Sequence, residues 1–142
     1  MKQQMIVMHM SGAYEEQTFY KQNQQMVHEV DCRNIEGTNC YCDDVAKEEI
    51  RRRIAAYSYE GIHFLDSGNY HYITKIITDH ITEPFGLVMY DHHTDMQIPM
   101  VPEMMSCGDW AGQALSQNKN LRQLVIVGPP ESDIEQTLES YS

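Results

Sequence analysis

Short apolar runs punctuate the chain, and each gives way to a polar stretch carrying glycine, asparagine or proline. Five of these runs are too short for helices and rich in branched or aromatic residues, so they predict strands at 5–9, 26–31, 61–66, 85–90 and 124–127. Between them the apolar spacing changes to the helical period. Ala46, Ile50, Ile54 and Tyr57 line one stripe of a helix predicted from Asp43 or Asp44 to about residue 57. Its arginine run, Arg51 to Arg53, suits a solvated C-terminal end, where positive charge complements the helix dipole. Ile73, Ile76, Ile77 and Ile81 mark a second helix at about 71–81, stopped by Thr82-Glu83-Pro84. A third, at about 109–117, turns Trp110, Ala111, Ala114 and Leu115 inward. The remaining segments, including 32–41 with Gly37 and Asn39, and Ser106-Cys107-Gly108, read as loops.

Strands that alternate with helices predict an α/β fold in three layers, α/β/α, around a mostly parallel sheet covered on both faces. A length of 142 residues makes 1–142 a single domain. The charge narrows the partners. With a formal net charge of -11, the chain repels phosphate backbones and anionic surfaces, so neither nucleic acid nor a membrane is expected to bind. Met1-Lys2-Gln3-Gln4 opens no secretory h-region, and no apolar run reaches the roughly 20 residues of a membrane span. The expected location is therefore cytoplasmic, where Cys32, Cys40, Cys42 and Cys107 remain thiols. His28 with Cys32, Cys40 and Cys42 offers four zinc donors, but their spacing matches no standard zinc module and a packed loop is the better reading. Met5, Met8, Met26 and Met89 fall in apolar runs and read as core. His9, His28, His63 and His80 read as partly buried, hydrogen-bonded imidazoles.

Candidate chemistry sits directly after the fourth predicted strand, in Tyr90-Asp91-His92-His93-Thr94-Asp95. In an extended segment Asp91, His93 and Asp95 would share one face. Two carboxylates with an imidazole suit a hard or borderline divalent cation such as manganese, and the lack of thiolate argues against a closed structural zinc site. In parallel sheets ligands gather at the carboxyl ends of the strands, where Asp66 to Gly68 also falls. His71, a few residues beyond the third strand, is placed to lean over the Asp91 to Asp95 face.

Asp91-x-His93-x-Asp95 after an apolar strand, preceded by Gly68-Asn69-Tyr70-His71, resembles the arginase and agmatinase (ureohydrolase) family. That family holds two manganese ions with a Gly-Gly-Asp-His segment and an Asp-x-His-x-Asp segment. The resemblance implies that His71 and Asp95 hold one ion, His93 the other, and that Asp91 bridges them. It implies hydrolysis of a carbon-nitrogen bond in a guanidino or amide small-molecule substrate. The phrase from Asp31-Cys32 to Gly37-Thr38-Asn39-Cys40-Tyr41-Cys42-Asp43 resembles a bacterial arginase-like subgroup, and this loop is placed to rim the site with Asn39 and Cys40 against substrate. Two departures matter. Tyr70 stands where the family has an aspartate, and no Ser-x-Asp-x-Asp segment, which supplies the family's later ligands, occurs up to Ser142. The expectation is therefore an incomplete N-terminal portion of the fold, with about one manganese per chain, an uncovered sheet that favours homo-oligomers, and a non-catalytic metal-binding fragment as the alternative. A rival resemblance, Asp66-Ser67-Gly68 followed by Asp91-His92-His93, is to the Asp-His-His manganese phosphoesterases, but the strand at 5–9 ends without the Asp-x-Asp motif of that family.

Overall fold

Two parallel sheets and four α-helices make a mixed α/β domain, seen in a computed structural model that describes residues 4–23 and 25–142. Met1, Lys2 and Gln3, read above for the absence of a leader, lie outside the described residues, as does Gln24 in the polar stretch before the second strand. The order is β1 (Met5–His9), β2 (Val27–Asp31), β3 (Tyr41–Cys42), α1 (Asp44–Ile54) and β4 (Ile62–Phe64), then α2 (Ile73–Thr78) and β5 (Phe85–Tyr90). The chain continues through β6 (Met105–Ser106), α3 (Trp110–Gln117), β7 (Leu121–Val127) and α4 (Glu131–Ser140).

The sequence pattern places a single sheet, whereas hydrogen bonding divides it. β2, β1 and β4 pair in parallel in that order, and β5 pairs in parallel with β7. Among the described residues no ladder joins β4 to β5. A third, two-residue ladder runs antiparallel between β3 and β6, in segments expected to be loops. So short a bridge has no period to read in the sequence; it exists because the long connections before α1 and α3 meet in space.

β1 is central and buried along most of its length, with Ile6, Val7 and Met8 at most 1% exposed. Alternation sends Ile6 and Met8 to one side, where they join Val30 and the inner stripes of α1 (Ala46, Ile50, Ile54) and α2 (Ile73, Ile76). Val7 and His9 face the other way, alongside Phe64, which pairs with Val7. The segment between β1 and β2 folds over this second face. Phe19 packs on Phe64 with ring centroids 4.7 Å apart, and Tyr14 and Tyr20 meet the His9 ring edge-on at 6.0 Å.

Local chemistry explains the helix boundaries. Asp43 caps α1 by accepting from the Ala46 amide at 2.8 Å. At the other end the arginines are tied down. Arg52 and Arg53 reach Glu49 at 2.7 and 2.8 Å, which holds the Glu49 carboxyl down at about 2, and Arg51 lies 3.5 Å from Asp79. Trp110, Ala111 and Ala114 of α3 are buried as the pattern requires, but Leu115 is 41% exposed and Gly112 takes the inner position instead. That side is occupied by the C-terminal residues: a Cβ on Gly112 would collide with the Tyr141 hydroxyl. Met26, expected in the core, is 36% exposed, because the apolar run it opens begins before β2 does. His28 and His80 are exposed rather than partly buried; His28 lies against the Tyr57 ring and His80 bonds its own helix at Ile76. α4, which the pattern does not predict, buries none of its residues.

Candidate metal centre

The chain leaves β5 at Tyr90 with its course fixed from below. The Asp91 amide donates to the Val127 carbonyl at 3.0 Å, continuing the ladder by one bond. Gly128 passes close under Asp91 at φ 122°, where any Cβ would press on the Asp91 carbonyl. Beyond Asp91 the backbone is not extended, which corrects the expectation that Asp91, His93 and Asp95 share one face by alternation. Instead it turns. The His93 amide folds back onto Asp91 Oδ1 at 2.9 Å, and Asp95 adopts a left-handed φ of 50°.

This turn brings two of the three together with a residue from another element. His71 ends the 3₁₀ turn Gly68–Tyr70, two residues before α2, and its Nδ1 lies 3.0 Å from Asp91 Oδ2 and 2.9 Å from Asp95 Oδ2. Among the described residues, His71, Asp91 and Asp95 form the one grouping of three potential metal ligands within 4.8 Å of one another. His93 stands apart. Its Nδ1 is 3.3 Å from Asp91 Oδ1 and its side chain is 73% exposed. Asp91 thus presents one carboxylate oxygen to each imidazole, Oδ2 to His71 and Oδ1 to His93.

Asp95 is the most firmly held member, with 5% exposure. Trp110 Nε1 donates to its Oδ2 at 2.8 Å, and the amides of Ala111 and Gly112 donate to its carbonyl at 3.0 and 3.3 Å. Trp110 also packs against the His71 ring, centroids 4.8 Å apart. One aromatic side chain thereby orients both a carboxylate and an imidazole, a role the sequence reading gave only to the core.

The donor set fits a divalent cation. The imidazole lies 3.0 and 2.9 Å from the two carboxylates, the separation expected of neighbouring ligands around an octahedral ion bound at about 2.1 Å, and all three donors fall within 4.8 Å of one another. Two carboxylates held this close repel each other until a positive charge sits between them. Asp66 is otherwise engaged. Its Oδ2 accepts from the Met10 and Ser11 amides and its Oδ1 from the Ser11 hydroxyl and the Ser67 amide, so it clasps the ends of β1 and β4. Tyr70, beside His71, is buried in the hydrophobic core.

The loop before α1 does reach this neighbourhood. Asn39 Oδ1 accepts from Asn69 Nδ2 at 3.0 Å, and the Cys40 carbonyl accepts from the Cys107 amide at 2.8 Å. Cys32 and Cys42 are fully buried, and burial pushes each thiol up to about 11, as befits packed thiols.

No family model matches the chain, and no solved structure matches it. A curated relative, an uncharacterized protein of Thermotoga maritima, is 31% identical over 127 residues. The match takes in 89% of this chain and 49% of that protein, so the chain spans about half the length of the curated relative it matches.

Proposed function

We propose that the chain carries the metal-binding part of a manganese-dependent hydrolase of the arginase (ureohydrolase) type, acting on a carbon-nitrogen bond of a guanidino or amide small molecule. The observation that carries this reading is the division of Asp91 between two imidazoles. One oxygen faces His71 beside Asp95 and the other faces His93, as a carboxylate bridging two ions would require. An arginase-like three-layer arrangement belongs to the same proposal; the parallel pairings of β2-β1-β4 and β5-β7 support it.

In this reading His71, Asp91 and Asp95 would hold one ion, with His93 and the second oxygen of Asp91 as donors for another. A divalent cation held there would make hydroxide available from water near neutral pH for attack on the planar carbon of the substrate. The protein's own part is to keep the donors in place. Trp110 and the Ala111 and Gly112 amides immobilise Asp95, and the His93 amide fixes the Asp91 carboxylate, so little ordering remains for the moment of binding. Asn39, tied to Asn69, and Cys40, tied to Cys107, stand on the loop proposed to meet substrate.

Titration of the metal-stripped chain with manganese tests the assignment. About one ion per chain is expected, since three donors serve the first position and only His93 and a share of Asp91 serve the second. Asp95→Asn should abolish binding, and His93→Ala should weaken it less. With one ion, turnover of guanidino compounds should be very slow. Two tight ions per chain, or unchanged binding in the Asp95 variant, would overturn the ligand set.

A further inference from the structure

A cysteine flanks each strand of the β3–β6 ladder at the same end. Tyr41 pairs with Ser106 and Cys42 with Met105, so Cys40, which turns with a left-handed φ of 63°, and Cys107 come next to each other just beyond the ladder. A backbone hydrogen bond of 2.8 Å, from the Cys107 amide to the Cys40 carbonyl, joins them there. Directly opposed residues of an antiparallel pair have Cα atoms about 4.5 to 5.5 Å apart, inside the span that a disulfide bridges. Burial, and after it the nearby Cys40 thiol, push the Cys107 thiol up to about 11. Both cysteines are free and only half-buried, unlike Cys32 and Cys42 beneath them.

We propose that Cys40 and Cys107 form a reversible dithiol–disulfide pair beside the His71, Asp91 and Asp95 cluster, oxidised by low-molecular-weight disulfides. One cysteine thiolate attacks a sulfur of the small disulfide, forming a mixed disulfide and expelling one small thiolate. The second cysteine thiolate then attacks the protein sulfur of that mixed disulfide and expels the other. Two cysteine thiols lose two electrons and two protons, and one small disulfide is reduced to two thiols, which take up the protons. The two cysteines are held side by side by their backbones before oxidation, so the second attack is intramolecular and is favoured over competing linkages. The link would close the long loop between β3 and β6, restrict the unfolded chain and raise the melting temperature. It would also fasten the Asn39 and Cys40 loop to the segment that runs into Trp110, next to the cluster.

The inference rests on the ladder register and on the backbone hydrogen bond between the two cysteines, not on metal binding, so it fails separately from the proposed function. The test treats the native, folded chain with oxidised glutathione, blocks the remaining thiols and maps the linkages by mass spectrometry. Loss of two of the four thiols is expected, with a Cys40–Cys107 peptide at least about tenfold over any other pairing. Dithiothreitol should reverse it, and the oxidised chain should melt several degrees higher. The preference should vanish in denaturing urea, because it comes from the folded ladder. Stable glutathione adducts on Cys40 or Cys107 without a link, dominant linkage to Cys32 or Cys42, or the same preference in urea would each overturn the proposal. Cys40→Ser and Cys107→Ser should each remove the link and keep the melt of the reduced chain. An equally abundant internal disulfide in either variant would refute the pairing.

Discussion

The two parallel sheets bury their faces unequally. Around β1 both sides are closed, one by α1 and α2 and the other by Tyr14, Phe19 and Tyr20 from the β1–β2 connection. In the β5–β7 sheet one side is closed. Leu87 and Met89, in register with Leu124 and Ile126, face the core, while Val88 and Tyr90, in register with Val125 and Val127, are 38 to 79% exposed. The difference lies in the flanking segments: the β1–β2 connection brings aromatic rings back over its sheet, whereas α4, which follows β7, leaves Ile134 and Leu138 exposed. Coverage of these sheets thus depends on the segments that flank the strands as well as on the strands' own composition.

The largest test of this contrast is truncation to alanine in each sheet. Met8→Ala should cost about 2 to 5 kcal/mol in urea denaturation, since it empties a fully buried position. Val88→Ala, at a position 55% exposed, should change stability by no more than about 0.5 kcal/mol. Equal losses would mean that the β5 face is covered in solution. A smaller effect is expected from Val88→Ser combined with Val125→Ser. Fluorescence of a bound apolar dye and any concentration-dependent rise in sedimenting mass should both fall, with the melt nearly unchanged. If dye binding and mass stay as they were, the bare face is not what attracts partners.

The smallest effect concerns the Asp66 clasp at the end of the well-covered sheet. Burial raises this carboxyl, but hydrogen bonds from Ser11, Met10 and Ser67 outweigh it and hold it below the usual carboxylate range. A depressed folded value means that the stabilisation is complete above about pH 4 and drains away as pH falls through the lower folded value. Asp66→Asn should therefore flatten the acid limb of a melting-temperature profile and leave the neutral region with a modest constant loss.

Much of this was legible from periodicity where burial is strong. β5 spans the apolar run Phe85–Tyr90 without shift, and α1 begins after the Asp43 cap that the sequence offers. Legibility failed where tertiary contact decides. The β3–β6 bridge has no local pattern, Leu115 loses its place to Gly112 under Tyr141, and the sheet's division follows from pairings far apart in sequence. In the candidate site the residue types were readable but the geometry was not. Asp95 joins His71 through a left-handed turn, while His93, grouped with it by alternation, stays at the rim. Trp110 left no signal beyond its apolar size.

The β3–β6 ladder also bears on the order of events in folding. It joins stretches separated by most of the molecule's middle, so its closure carries a larger loop entropy than the nearer β1–β2 and β5–β7 pairings. Contacts of that kind form late, after local ones have shortened the distance they must span. Cys107 and Asp109 follow it directly, and Trp110, which orients Asp95 and His71, begins the helix just beyond. The candidate metal centre is therefore expected to assemble late, with its donors held apart in a nascent chain until that ladder closes.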